Sequence, residues 1–233
     1  MNFIEGEIIA IDKPLGWTSF DAVKRIRGAI QRRMSVRKFK VGHAGTLDPL
    51  ATGVLIICTG RATKRIDQLQ NGFKEYVADI TLGATTPSYD LEKEIDAVYP
   101  YEHITREMVD ATLPNFVGHV LQVPPVFSAV KVDGKRAYAL ARRGKEVELK
   151  AKPLEIKELE VLTFEPPLLR VRVLCSKGTY IRALARDIGR ALGSGAHLTA
   201  LRRTRVGDIT IGACLTIDQA LEHIANDPME ITS

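Results

Sequence analysis

Cysteine is scarce in this chain, and the three present, Cys58, Cys175 and Cys214, are odd in number, far apart and never spaced as Cys-x-x-Cys. That excludes a disulfide framework and fits reduced core thiols in a cytoplasmic setting. No apolar run approaches the ~20 residues that span a bilayer, and residues 1–7 lack the basic and apolar segments of a signal peptide. The expectation is a soluble, intracellular protein with no membrane partner. Neither Gly-x-x-x-x-Gly-Lys-Ser/Thr nor Gly-x-Gly-x-x-Gly occurs, so a nucleoside triphosphate or dinucleotide site has no support. The five histidines, at 43, 103, 119, 197 and 223, never cluster with cysteines or carboxylates at ligand spacing, and neither a metal nor a cofactor is expected. Repeats and low-complexity segments are also missing. At 233 residues the chain can bury a substantial core without covalent help.

Charge is present and segregated, although the net value is only +5. Eight bases and no acid fall between Ala22 and Leu47, and nine bases against the single acid Asp187 fall between Arg170 and Val206. Asp90 to Asp110 holds seven acids and only two bases. A basic face with an acidic back is the footprint of a polyanion binder, and an ordinary solvated surface would leave the same pattern.

Along the chain, residues 7–12 read as a strand, and a helix is expected from Thr18 or Ser19, with Phe20, Val23, Ile26 and Ile30 on its buried face. Val54 to Cys58 is a short β-branched run closed by Thr59-Gly60, hence a core strand. A second helix is expected over 61–70. In 74–83, Tyr76, Ala78, Ile80 and Leu82 alternate onto one face, where Tyr76 reads as a core aromatic. Further elements are a helix at 105–115, strands at 154–164, 169–175 and 197–206, and a terminal helix at 217–225. After Cys175 a helix buries Ile181, Leu184, Ile188 and Leu192, while Arg182, Arg186 and Arg190 form a second stripe, readable as solvated surface or as a phosphate contact. Between Pro124 and Lys152 an Asp133-Gly134 hairpin signal and a short basic helix at 137–143 suggest a protruding basic insertion carrying Arg142 and Arg143.

The most distinctive stretch runs from Gly42 through Gly45-Thr46-Leu47-Asp48-Pro49-Leu50-Ala51-Thr52-Gly53 into that core strand. Pro49 pushes Asp48 toward extended geometry, and Gly45 and Gly53 permit backbone shapes a side chain would forbid. Asp48 is therefore either a local Asx-turn acceptor or a carboxylate held out to a cleft by the core.

This wording closely resembles the signature loop of the tRNA pseudouridine synthase B (TruB) family. Lys13-Pro14-Leu15-Gly16-Trp17-Thr18-Ser19, Ser176-Lys177-Gly178-Thr179-Tyr180-Ile181-Arg182 and His197-Leu198-Thr199-Ala200-Leu201-Arg202-Arg203 resemble its other blocks, in the same order. The resemblance implies a pseudouridine synthase fold: a single α/β (α+β) catalytic domain over 1–233, with a mixed, largely antiparallel central sheet flanked by helices. Residues 124–152 would form its thumb-like insertion. It implies conversion of uridine to pseudouridine at position 55 in the tRNA T-loop, after extrusion of the base. Asp48 would be the nucleophile, with Tyr76 and Arg182 catalytic and His43, Lys64, Tyr180 and Leu201 against the substrate. The implied partner is the T-arm of tRNA and the implied state a monomer. Bacterial members usually continue into a PUA-type domain, which this chain is expected to lack. Two other readings stay open, a tRNA-folding chaperone without chemistry and a synthase acting on another RNA. Direct attack at ribose C1′ and a glycal route would use the same aspartate.

Overall fold

The computed structural model describes residues 1–128, 131–132, 135–136 and 149–226. It has the fold class expected from the sequence, mixed α/β with a mainly antiparallel central sheet flanked by helices. The chain divides into two compact units, Met1–Glu75 with Arg202–Ser233 and Tyr76–Leu201.

In the first unit, β1 (Ile8–Lys13), β2 (Val41–Ala44) and β3 (Ala51–Thr59) form an antiparallel group in which β3 pairs with both neighbours. Every residue of β3 except Thr52 is buried, so it takes the uniformly apolar composition that two covered faces demand. Helix α1 (Ser19–Met34) starts where the sequence places it. Thr18 caps it, and the Thr18 and Asp21 side chains satisfy each other's backbone N–H groups. Val23, Ile26 and Ile30 pack with Ile9, Ile11, Leu55 and Ile57 and with Ile217, Ala220 and Ile224 of the terminal helix. Phe20 departs from the expected face and is 59% exposed. It occupies the first turn, where Ser19 turns inward instead to bond Leu47. The expected helix over 61–70 opens as a 3₁₀ turn, Gly60–Arg65, before α2 (Ile66–Gln70). There the Thr63 hydroxyl takes the Gly60 carbonyl at 2.7 Å, competing with the regular backbone ladder.

The second unit contains most of β4 (Lys74–Leu82), whose alternation is observed: Tyr76, Ala78, Ile80 and Leu82 are buried and the residues between them less so. The strands named next are β5 (Ala84–Thr85), β6 (Ala97–Val98) and β7 (Gly118–Gln122). Between the last two, α3 (Arg106–Thr112) is shorter than expected and passes into a 3₁₀ turn at Pro114, which has no N–H to continue a helix. Strands β8 (Lys131–Val132) and β9 (Lys135–Arg136) pair as a hairpin requires. The Asp133-Gly134 turn, the helix expected at 137–143 and its Arg142 and Arg143 lie outside the described residues. The long β10 (Lys152–Glu165) pairs with β7 on one side and with β11 (Leu168–Cys175) on the other. Helix α4 (Ile181–Ala191) follows, and β12 (Ala196–Val206) leads back toward the first unit's sequence. There β13 (Ile209–Thr210) and α5 (Ile217–Asn226) complete the chain's described elements.

Two readings of charge need correction. Arg182 and Arg186 are buried, leaving Arg190 exposed, so α4 does not carry a solvated arginine stripe. Arg186 is absorbed by Asp187 at 2.8 Å, the Val123 carbonyl at 3.0 Å and the Tyr89 ring at 4.9 Å. Asp90 is buried as well and does not belong to an acidic surface.

Candidate active site

Asp48 lies in a loop with little freedom. Its carbonyl accepts from the Ala51 N–H at 3.0 Å, closing a turn with Pro49 at the second position, where the proline ring presets the backbone. Leu47 before it is buried, and both its backbone groups are taken by one hydroxyl: Ser19 Oγ accepts from the Leu47 N–H at 2.8 Å and donates to the Leu47 carbonyl at 3.0 Å. Gly45 holds φ at +93°, which a residue with a side chain rarely adopts.

Two fully buried cations fix the same loop. Arg203 donates through Nε to Val54 O at 2.7 Å, through Nη2 to Gly45 O at 3.1 Å and through Nη1 to Thr46 O at 3.4 Å. Lys13 donates through Nζ to Trp17 O at 2.6 Å, Pro14 O at 3.0 Å and Pro49 O at 3.5 Å. Burial is the main influence on Lys13 and pulls its pKa down to about 8, against the attraction of the Asp48 carboxylate.

His43 sits on β2 opposite Ile57. Desolvation, followed by the charge of Arg203, holds its pKa below the ordinary histidine value, so it is neutral at neutral pH. Lys64, in the 3₁₀ turn, is exposed. Thus the first unit brings His43 and the Asp48 loop around Arg203 and leaves Lys64 at the surface.

Tyr76, Tyr180, Arg182 and Leu201 belong to the second unit. Tyr76 is a buried residue of β4, and Leu201 is partly buried in β12. Tyr180 occupies the N-cap position of α4, where Gln122 accepts from its N–H at 2.9 Å and donates to its carbonyl at 3.2 Å. Two residues on, Arg182 donates to Ser88 O at 3.2 Å and Phe127 O at 3.1 Å, with Nε 3.5 Å from Asp90 Oδ2. Its planar fork is therefore fixed by three separate partners within its own unit.

Sequence reasoning quoted Lys13 and Arg203 only within motif blocks and missed their work. A signal existed for Lys13: it continues the inward alternation of Ile9 and Ile11 on β1, a position where an unpaired ammonium is too costly to be accidental. For Asp90 there was none, because it stands among exposed acids. Among the described residues no group of three or more His, Cys, Asp or Glu side chains could hold a metal ion, and no helix is long and apolar enough to cross a membrane.

The sequence matches the TruB family pseudouridylate synthase N-terminal domain over residues 31–181 and the tRNA pseudouridylate synthase B C-terminal domain over residues 182–230. It is 64% identical over 225 residues to a tRNA pseudouridine synthase B of Parabacteroides distasonis, covering 95% of this chain and 96% of that one. The corresponding Bacteroides fragilis protein is 64% identical over 232 residues, with both chains fully covered. Among solved structures, the fold resembles a Cbf5-Nop10-Gar1 complex at TM-score 0.72 and 29% identity, over 96% of this chain and 55% of that one. It also resembles an H/ACA RNP bound to a substrate RNA containing 2′-deoxyuridine, at TM-score 0.69 and 27% identity over 95% and 54%. The chain spans about half the length of those two structural relatives.

Proposed function

The chain belongs to the TruB family of pseudouridylate synthases, and from that premise we propose that it isomerises uridine to pseudouridine at position 55 in the T-loop of tRNA, with Asp48 as the nucleophile. The reaction breaks the bond from ribose C1′ to uracil N1, turns the detached base, joins C5 to C1′, and moves the C5 proton away while N1 regains one. No atom is gained or lost. Such chemistry calls for one carboxylate at the sugar and a site that excludes water.

The observation that carries this reading is the Asp48 loop itself, pinned by Ser19, Arg203 and Lys13 before any substrate arrives. A nucleophile aimed in advance saves the entropy of orienting it during reaction. In this reading Arg182 presents a fixed cation, Tyr76 accepts the C5 proton, and Tyr180, Leu201, His43 and Lys64 contact the RNA. Extruding the base from a folded loop costs roughly a few kcal/mol, which phosphate contacts offset.

The test is incubation of the purified protein with unmodified tRNA, followed by mapping of pseudouridine. Product at position 55 is expected. Intact binding without product would make the protein a tRNA-folding chaperone, and product only elsewhere would assign another substrate.

A further inference from the structure

Helix α1 carries more positive charge than its fold uses. Lys24, Arg25, Arg27 and Arg32 line an open groove of about 720 Å³ on its outer side, with Trp17 at one end and Gly28 in its wall. Among the described residues no ion pair engages any of these four cations. Among the described lining residues the one carboxylate, Asp21, is committed to the helix cap: it accepts from the Thr18 hydroxyl at 2.6 Å and the Thr18 N–H at 2.9 Å. Those bonds, the hydroxyl's first, hold its pKa below the usual carboxylate range. The groove is thus lined by four cations and one occupied anion.

Two further features separate this groove from a merely solvated face. Phe20, on the same helix beside the groove lining, stands 59% exposed with the guanidinium of the lining residue Arg27 5.5 Å from its ring centroid, an aromatic and cation platform of the kind on which nucleobases stack. Gly28 lies in the interior of a 16-residue helix, where glycine costs about 1 kcal/mol against alanine. No backbone crowding explains it, since an added Cβ would meet only the tip of Arg32, at 3.6 Å. A glycine there keeps the wall low enough for another molecule's backbone to come close.

One lining residue ties the groove to the loop of the candidate site. Gly16, at its Trp17 end, donates to the Pro49 carbonyl at 2.9 Å, one residue past Asp48. From Ser19 to Arg32 the helix rises about 20 Å at 1.5 Å per residue. We propose that the α1 groove binds the phosphate backbone of the substrate RNA for several nucleotides beyond the one presented to Asp48, with the Phe20–Arg27 platform taking an unpaired base. This rests on the reading that the chain acts on RNA.

The experiment measures fluorescence anisotropy with an unmodified tRNA transcript across a salt series. It compares the wild type, the double variant Lys24→Gln/Arg27→Gln, Gly28→Leu, and an Arg106→Gln control from the acidic segment, each checked for folding by thermal melting. Loss of two phosphate contacts should weaken binding about tenfold or more at low salt and flatten the slope of log affinity against log salt by about 1.4–1.8. Gly28→Leu should weaken binding without lowering the melting temperature, an outcome a purely structural glycine would not give. Equal slopes for the wild type and the double variant would overturn the proposal, as would an equal loss in Arg106→Gln. Pseudouridine formation by the wild type is scored in parallel. Product with no groove dependence would sink the groove alone, and groove dependence without product would sink the isomerase alone.

Discussion

The Lys13 ammonium lies under the loop of Asp48, whose carboxylate is the strongest charge opposing the lysine's loss of its proton. Burial nevertheless brings that loss down to about pH 8 from the ordinary 10.5. Single-turnover rates should therefore decline as pH rises through about 8. Lys13→Arg, charged throughout, should remove that alkaline limb, and a limb that persists in the variant would detach Lys13 from it. Stability runs the other way. Between about 8 and 10.5 the unfolded chain holds the proton that the folded chain has released, so this group's contribution rises with pH across that window. Denaturant titrations at the two ends of the window measure it.

Asp48→Asn keeps the size and removes the charge. Turnover should vanish while tRNA affinity stays within a few fold, because no phosphate contact depends on a carboxylate. Arg182→Lys keeps a charge but gives up the fork now divided between Ser88, Phe127 and Asp90. It should bind RNA and react about a hundredfold more slowly. Near wild-type single-turnover rates in either variant would remove that residue from the mechanism.

Asp90→Asn tests the buried pair of the second unit. Arg182 would keep its charge and lose the Asp90 carboxylate beside it, and breaking such a pair costs up to about 3–5 kcal/mol. The Glu92 N–H would keep its acceptor, so the loss reports charge more than local geometry. A urea midpoint equal to wild type would show that the pair carries no stability.

Gly53→Ala should be among the most damaging single substitutions in the chain. Its φ is +105°, and a Cβ there would come within 2.1 Å of the Arg203 carbonyl oxygen, a backbone atom that cannot swing aside. Destabilisation above about 2 kcal/mol is expected. An unchanged melting temperature would mean that the β3 and β12 backbones separate more easily than their contact indicates.

Much of the fold was legible because its signals are local. Period-two alternation gave β4 and β11, and the Thr18 cap gave the start of α1. The errors came where partners distant in sequence decide. Phe20 fits a helical stripe, yet Ser19 holds the inward position because Leu47, 28 residues away, needs its hydroxyl. Arg182 and Arg186 look like surface because charge normally is, and only their carbonyl and carboxylate partners make burial tolerable. For the site, a long motif pointed to Asp48, whereas the clamps around it are visible only once strands bring Lys13 and Arg203 to one loop.

Under the proposed function, the bond pair between Ser19 and Leu47 bears on how a uridine buried in a folded RNA loop is reached. One hydroxyl uses up both polar groups of Leu47, so the first turn of α1 and the segment entering Asp48 share a single anchor. A part held this way works like a jig: it does not follow a misaligned workpiece. Adjustment then falls to the RNA, and an RNA too stiff to distort would be turned away at the aspartate whatever its sequence.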